Sequence, residues 1–335
     1  MSGSVPAGRR AERASAPGGQ RVRGAGTPAD ERAAGAGTPA GGGAGAPAGR
    51  GAALPPGRRA RRAAGRTGQY LALLCYLVFL AFPLLWLLST AFKSPRELGS
   101  VDPTWLPAHP TLGNFRAAFD QQPLLRSGLN SLLVAGSAAL ISVAVAVPAA
   151  YVMVRYRSAL GRLGTGWVLV SQMFPFVLII IPLFLVLRSA HLIDSLPGLI
   201  VVYVVWNLPF ALWMLQGYVR AVPPSLEEAA AVDGAGRWRT LRGVVLPLLA
   251  PGLVATLMFS FVTAWNEFFF ALVLLKSPEK QTMSVILTHF VGAEGAADLG
   301  PLAAASVLAT LPSLLFFGLL QRRLASGMLG GAVKG

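Results

Sequence analysis

Six long apolar segments follow one another along the chain after residue 68. An α-helix needs about 20 apolar residues to cross the hydrocarbon core of a bilayer, and each of these segments reaches that length. The predicted spans are residues 69–92, 127–152, 166–187, 197–219, 251–275 and 301–320. The pattern therefore predicts an all-α, polytopic membrane protein with six transmembrane helices.

The composition supports this interpretation. Of the 335 residues, 54% are hydrophobic and only 13% are charged, and the mean hydropathy is +0.57. Soluble domains carry about 25% charged residues, so a chain with so few charges is adapted to a solvent other than water. Membrane lipid is therefore its expected surrounding.

The first 68 residues have the opposite character. They are rich in Gly, Ala, Pro and Arg, and they contain twelve arginines against three acidic residues. A segment with so few branched or aromatic apolar side chains buries too little surface to offset the entropy of ordering. We therefore expect a disordered basic tail at residues 1–68, followed by a six-span domain at residues 69–335 whose core covers residues 127–321.

Basic residues between the predicted spans indicate the orientation. Short loops on the cytoplasmic side of a membrane carry an excess of Lys and Arg. This excess occurs in three segments. The connection between spans two and three contains Arg155, Arg157 and Arg162, and the connection between spans four and five contains Arg220, Arg237, Arg239 and Arg242. The C-terminal tail contains Arg322, Arg323 and Lys334. Because six spans put both ends on one side, the N- and C-termini are both expected to be cytoplasmic.

The fourth-to-fifth connection, residues 222–247, is long and carries helix signals. Two prolines near its start stop the preceding helix, and Ser225 with Glu228 three residues later matches a capping box for a new helix. Gly234 follows about two turns on, where helices commonly end in a left-handed glycine. A second helical stretch is expected at residues 238–245. The connection is thus predicted to form helix, tight turn and helix at the cytoplasmic face.

Spaced residues in this connection carry a family resemblance. They are Glu228, Ala229, Ala230, Asp233, Gly234, Leu246 and Pro247. Their order and spacing resemble the EAA signature of bacterial ABC import permeases. Three further segments, residues 130–132, 263–272 and 330–335, are similar to the MalG-like permease subunit of carbohydrate-uptake, maltose-type importers. The resemblance covers residues 69–335 and leaves the basic tail unassigned.

This resemblance implies a type I ABC importer permease fold and a multi-pass location in the bacterial plasma (inner) membrane. It also implies three kinds of protein partner: a second similar permease subunit, two copies of a cytoplasmic ABC ATPase, and an extracytoplasmic solute-binding protein that delivers a sugar or oligosaccharide. The EAA residues would form the element that couples the permease to the ATPase. ATP and Mg would be bound by that ATPase, and this chain would bind no cofactor.

Two polar residues, Asn266 and Glu267, lie within the predicted fifth span. An ionisable side chain inside a membrane is costly and commonly faces a cavity or a partner. Both residues are therefore candidates for lining a translocation path. An ion-coupled secondary transporter is the alternative function, but it requires acids in several spans, and Glu267 is essentially alone.

Nothing in the sequence points to catalysis. The phosphate-binding pattern G-x-x-x-x-G-K-[ST] does not occur in the chain, so a separate subunit must hydrolyse ATP. The three histidines lie far apart, which gives neither a catalytic cluster nor a metal site. The basic tail lacks the aromatic residues that stack on bases, so nucleic acid is not an expected partner.

Overall fold

The computed structural model describes most of the apolar part of the chain. The described residues are 56–102, 104–156, 163–292 apart from 165, 167, 169, 172 and 174, and 297–329, with side chains between residues 68 and 321 except residue 176. Most of the expected basic tail, part of the expected third span, and residues 330–335 lie outside this description. The tail and domain boundaries proposed from the sequence therefore stay predictions.

The described residues are mostly helical. In chain order the α-helices are α1 Pro56–Phe92, α2 Pro95–Leu98, α3 Gly113–Gln121, α4 Leu124–Arg155, α5 Phe176–Ser189, α6 Leu196–Ala221, α7 Pro224–Val232, α8 Arg237–Thr240, α9 Leu246–Leu248, α10 Ala250–Trp265, α11 Phe269–Leu274, α12 Met283–Ile286 and α13 Leu299–Leu329. A π-helical turn, Leu241–Val245, joins α8 to α9. Within the described ranges, β pairing is limited to one isolated bridge between Val291 and Ala297.

Several helices are long and apolar enough to cross a membrane. Within the described residues these are Gly68–Phe92 in α1, Leu124–Arg155, Leu196–Ala221 and Leu299–Gln321, and the bent pair Arg237–Leu248 and Ala250–Trp265 provides a fifth candidate. In the expected third span, the continuous described helix is α5, which has 14 residues, and some positions before it lie outside the description. The multi-pass helical architecture is thus present, whereas the count of six spans stays a prediction.

The core of the bundle forms where α4 packs against α6 and α10. Buried positions of α4 recur at spacings of three and four residues, as a single buried helix face requires, and they include Ala135, Ala138 and Ala139. These alanines pack in one cluster with Leu199 of α6 and Phe261 of α10. Small residues at the contact let membrane helices approach closely, which increases dispersion contacts between them.

Helix α1 differs from the core helices because it has almost no protein around it. Its most apolar 18-residue window, within Gly68–Phe92, is 0% buried, although its mean hydropathy is 2.6. Within Gly68–Phe92, contact with the bundle is near the end of the helix, where Ala91 is buried with Ala118 and Ala304. A helix that is apolar on all sides and exposed in this way is suited to contact with lipid or with another transmembrane subunit.

The connection between α11 and α13 begins as part of the bundle. The Asn130 side-chain amide of α4 donates to the carbonyls of Glu279 and Gln281, at 3.0 and 3.1 Å. The backbone N–H of Met283 donates to the Ser131 hydroxyl at 2.8 Å. The first part of this connection is therefore fixed against α4 and is not a free loop.

One aspartate fastens the α5–α6 connection to the same region. The Asp194 carboxylate accepts the backbone N–H groups of Lys276 and Ser277, each at 2.9 Å, and lies 3.1 Å from Nζ of Lys280. Hydrogen bonds from the Ser277 hydroxyl and backbone, with further ones from Lys276 and Lys280, lower the pKa of Asp194 below its ordinary value. Two connections distant in sequence are thus held together at one end of the bundle.

Candidate functional site

The connection 222–247 begins with a change of direction that prolines impose. Helix α7 begins at Pro224, where the missing N–H fits the first helical position. The expected capping box of Ser225 and Glu228 is wrong, because the N-cap residue is Pro223 and no side chain caps the helix. Since the helix already begins at Pro224, Ser225 lies inside the first turn and cannot occupy the capping position.

The expected glycine turn at the end of α7 is confirmed. Gly234 has a φ of 77°, in the left-handed region that residues with a Cβ adopt at a cost. The N–H of Gly234 donates to the carbonyl of Ala231 at 3.0 Å, and the N–H of Ala235 donates to that of Ala230 at 2.9 Å. This pair of bonds is the Schellman motif, which satisfies the last carbonyls of a helix.

After the turn, the chain forms a short helical segment that leads into the fifth candidate span. The stretch expected at 238–245 is helical, as α8 and the π-helical turn. Arg237–Leu248 is bent by 76° from Ala250–Trp265. Leu246 packs against a buried cluster that contains Ala146 and Leu215, whereas Pro247 is exposed. The segment therefore crosses the end of α10 at a steep angle while its apolar side stays attached to the bundle.

The EAA residues of α7 form an exposed surface. Glu228, Ala229, Asp233 and Gly234 are exposed, Ala230 is half-buried, and no residue of α7 is buried. Two of these side chains are single methyl groups, so another surface can approach this face of the helix closely. Leu246 and Pro247, the remaining members of the signature, lie in α9 beyond the turn.

An ion pair and a hydrogen bond that the sequence pattern does not predict fix α7 to the bundle. Glu227 is only 14% exposed, and so is its partner Arg155 at the end of α4, whose Nε lies 2.6 Å from Oε1 of Glu227. The Tyr151 hydroxyl donates to Oε2 of Glu227 at 2.8 Å. Arg155 also donates to the backbone carbonyl of Val222 at 2.7 Å. One arginine thus holds the chain on both sides of Pro223 and Pro224.

The fifth span is interrupted where the candidate path residues lie, so the expectation of one continuous helix over 251–275 is wrong. Helix α10 ends at Trp265, and α11 begins at Phe269. The Glu267 carboxylate accepts the N–H groups of Phe270 and Ala271, at 2.9 and 3.3 Å, and the hydroxyl of Tyr203 at 2.7 Å. Glu267 therefore satisfies the free N–H groups at the start of α11, which makes the break possible within an apolar segment.

Asn266 lies apart from this network, on the wall of a cavity. The cavity has a volume of about 600 Å³ and lies between α1, α10, α12 and α13. Its lining is mostly apolar, with polar side chains that include Asn266, Ser284, Ser306, Thr310 and Ser313. A mostly apolar cleft with a few polar groups is the usual form of a small-molecule site. The structure thus separates the two candidate residues into a cavity residue and a helix-capping residue.

Comparison with known proteins places this geometry in context. The family model of binding-protein-dependent transport system inner membrane components matches residues 140–330. ORF1 of Streptomyces antibioticus, which carries the name of an ABC transporter permease protein, is 66% identical over 229 residues, covering 68% of this chain and 100% of that one. The diacetylchitobiose uptake system permease protein DasC of Streptomyces coelicolor is 38% identical over 273 residues, covering 81% of this chain and 98% of that one.

A solved structure shows the same fold. The crystal structure of a bacterial ABC transporter involved in the import of the acidic polysaccharide alginate contains a chain that aligns with a TM-score of 0.67. The alignment covers 79% of this chain and 97% of that chain, at 21% sequence identity.

Proposed function

Because the chain belongs to the family of binding-protein-dependent transport system inner membrane components, we propose that it carries a di- or oligosaccharide across the bacterial cell membrane as one permease subunit of an ABC importer. The choice of solute rests on one similarity. The chain is 38% identical to a permease named for diacetylchitobiose uptake, over nearly all of that permease's length. The alignment with a chain of an alginate importer supports the same class of solute.

The family membership also supports the composition of the complex. The protein is a permease and not an enzyme, and a separate ATPase subunit hydrolyses ATP. In the proposed complex, two copies of that ATPase bind ATP and Mg, a second similar permease completes the pathway, and an extracytoplasmic binding protein delivers the sugar. The exposed apolar surface of α1 fits a subunit that functions beside other transmembrane helices.

In this proposal, α7 is the coupling helix that contacts the ATPase. The exposed Glu228 and Ala229, with Asp233 directly after the helix, offer two acidic groups beside a small side chain. The tight turn at Gly234 ends the helix abruptly and leaves that face accessible. ATP-driven closure of the ATPase dimer would move α7, and the bundle would then alternate between outward- and inward-facing states.

The cavity beside Asn266 is the proposed part of the translocation path. Its hydroxyl and amide groups are of the kind that bond to sugar hydroxyls, and its apolar lining suits the C–H faces of a sugar ring. Glu267 contributes indirectly in this proposal, because it holds α11 and leaves Asn266 at the break. The family match gives no support to the alternative of an ion-coupled carrier.

The proposed orientation places six spans in the plasma membrane with both termini in the cytoplasm. Arg220, Arg237, Arg239 and Arg242 cluster at the ends of the connection that holds α7, and their side chains are exposed. An excess of arginine at this face agrees with a cytoplasmic location, which the contact with a cytoplasmic ATPase requires.

The Gly234→Asp variant tests the coupling role in cells. The substitution places a side chain in the left-handed backbone at the exposed end of α7, which aspartate accepts at a smaller cost than most residues with a Cβ, and it adds a charge to the surface that contacts the ATPase in this proposal. We expect uptake of radiolabelled disaccharides, screened as a panel that includes diacetylchitobiose, to fall by at least about tenfold at equal membrane levels of the protein.

Gly236→Asp is the matched control. It adds the same charge two residues away, at φ −68° and ψ 160°, where an L-residue is unstrained and aspartate is a favourable helix N-cap. Uptake by this variant should stay close to normal. Normal uptake by Gly234→Asp, or no uptake of any sugar by the unmodified protein, would overturn the proposed function.

A further inference from the structure

Adjacent glutamates of α7 face different surroundings. Glu228 is exposed, whereas Glu227 is turned toward α4 and is almost enclosed. Successive residues of an α-helix project about 100° apart, so one of two neighbouring side chains can face the bundle while the other faces outward. The two carboxylates therefore serve different purposes, and only Glu228 is available to a partner on the exposed face.

Helix α7 has few other attachments to the bundle. It contains no buried residue, and Leu226, its largest apolar side chain, is 42% exposed. Within the described part of the chain, the contacts of Glu227 are the side-chain hydrogen bonds that join α7 to a transmembrane helix. These bonds are directed and short, so they fix the position of α7 in a way that its sparse apolar packing does not.

The receiving helix is well placed to carry a movement into the membrane. Tyr151 and Arg155 lie one turn apart at the last turns of α4. Tyr151 is itself buried in a cluster with Val219 and Val245, and α4 forms the bundle core with α6 and α10. Helix α4 is packed along its length, and close-packed interiors transmit displacement with little compression. A displacement of the end of α4 is therefore passed on to the bundle core.

We propose that Glu227, Arg155 and Tyr151 form a link that transmits displacement of α7 to α4 during the transport cycle. The proposal rests on the coupling role of α7 and assigns these three residues a positioning role, with no contact to solute or ATP. Removing one partner of an enclosed ion pair leaves the other charge unpaired, so the link should fail when either charge is lost.

The competing explanation is that the chain itself carries the movement. The segment at Val222 joins α7 to α6, and α8 and α9 join it to α10. If these covalent connections are sufficient, the ion pair only stabilises the folded protein. The two explanations differ in one observable, the amount of sugar moved for each ATP hydrolysed.

The test uses the complete transporter in proteoliposomes, with sugar uptake and ATP hydrolysis measured on the same preparation. The probe is radiolabelled diacetylchitobiose, or the sugar that the uptake panel identifies. We expect Glu227→Gln to lower the ratio of uptake to hydrolysis by at least about tenfold, because hydrolysis continues while α4 no longer follows α7. Tyr151→Phe, which removes one hydrogen bond and keeps both charges, should lower the ratio by a smaller factor.

A charge exchange provides the rescue. Glu227→Arg combined with Arg155→Glu restores an ion pair between the same helices and should recover a substantial part of the lost ratio. The control is Asp120→Asn, which removes a carboxylate from the exposed pair with Arg116, where the side chains are 89% and 73% exposed. This control should leave the ratio unchanged.

The remaining outcomes overturn the link. A normal ratio in Glu227→Gln shows that the chain carries the movement, and an equal fall of hydrolysis and uptake, without rescue by the exchange, shows a purely structural ion pair. The Gly234→Asp variant separates this failure from failure of the proposed function. If Gly234→Asp loses uptake while Glu227→Gln keeps a normal ratio, α7 couples to the ATPase but the ion pair is not the link.

Discussion

At the connection between α5 and α6, Asp194 adopts a left-handed backbone with φ 52°, a conformation that asparagine and aspartate accept more readily than other residues with a side chain. Its carboxylate accepts hydrogen bonds from the backbone N–H groups of Lys276 and Ser277 and from Nζ of Lys280. Because these donors stabilise the charged form, the folded-state pKa of Asp194 is lower than in the unfolded chain. The charge of Asp194 therefore contributes to the stability of the fold.

Asp194→Asn should remove this contribution without straining the backbone. We expect the midpoint of thermal unfolding in detergent to fall, by an amount equivalent to about 1–2 kcal/mol at neutral pH. A depressed folded pKa stabilises the protein above the ordinary value of 3.8 and loses its effect as the pH falls through the folded value. The difference between variant and unmodified protein should therefore shrink below pH 3.8, and a difference that is independent of pH would contradict the ionic clamp.

The glutamates of α7 show what residue patterns can and cannot predict. The spacing from Glu228 to Gly234 is a sequence property, and it correctly places a helix and its left-handed turn. Which glutamate faces the bundle depends on where the helix begins, and the N-cap lies at Pro223 instead of the expected Ser225. Successive side chains project about 100° apart, so a two-residue difference in the start of the helix leaves the bundle-facing side undetermined, and the partner of Glu227 could not be predicted from the sequence.

Among the elements, the fifth span departs most from its prediction. Residues 251–275 are long and apolar enough to predict one span, and the sequence marks the break only by the polar pair Asn266 and Glu267. A break inside a membrane requires partners for the freed N–H groups, and Glu267 supplies them from its own side chain. An acid within a span therefore has two explanations, a path or a cap, and only the positions of its partners distinguish them.

Glu267→Ala tests the capping function. The variant loses the acceptor of two backbone N–H groups and of the Tyr203 hydroxyl, and we expect it to destabilise the protein by about 2 kcal/mol or more. The midpoint of thermal unfolding in detergent is the measurement. Glu279→Ala, which removes an exposed carboxylate in the next connection, is the control and should leave the midpoint nearly unchanged. Equal midpoints for the two variants would contradict the cap.

Long helices of the core were predictable because their signal is strong and local. The predicted spans 127–152 and 197–219 coincide with α4 and α6 to within a few residues. The apolar part of α1, residues 69–92, was predictable for the same reason, whereas the start of this helix at Pro56 was not. The folded connection between α11 and α13 was not, since its attachment depends on Asn130 and Ser131, about 150 positions earlier.

For the whole molecule, the orientation follows from loop charges and can be measured with single cysteines. Cys75 is the chain's only cysteine, so Cys75→Ser provides a background for Gly236→Cys and Glu279→Cys, both at exposed positions. A membrane-impermeant maleimide should label Glu279→Cys in intact cells and Gly236→Cys only after permeabilisation. Labelling of both in intact cells would show that the α10–α11 segment does not cross the membrane.

The most direct measurement is purification of the tagged protein from its native cells in mild detergent, with mass spectrometry of the proteins that accompany it. A permease subunit needs its companions, because the chain contains no phosphate-binding loop of its own. We predict that a second permease and an ATPase with such a loop will co-purify. Recovery of the protein alone, or only with copies of itself, would contradict its assignment as one subunit of an ATP-driven sugar importer.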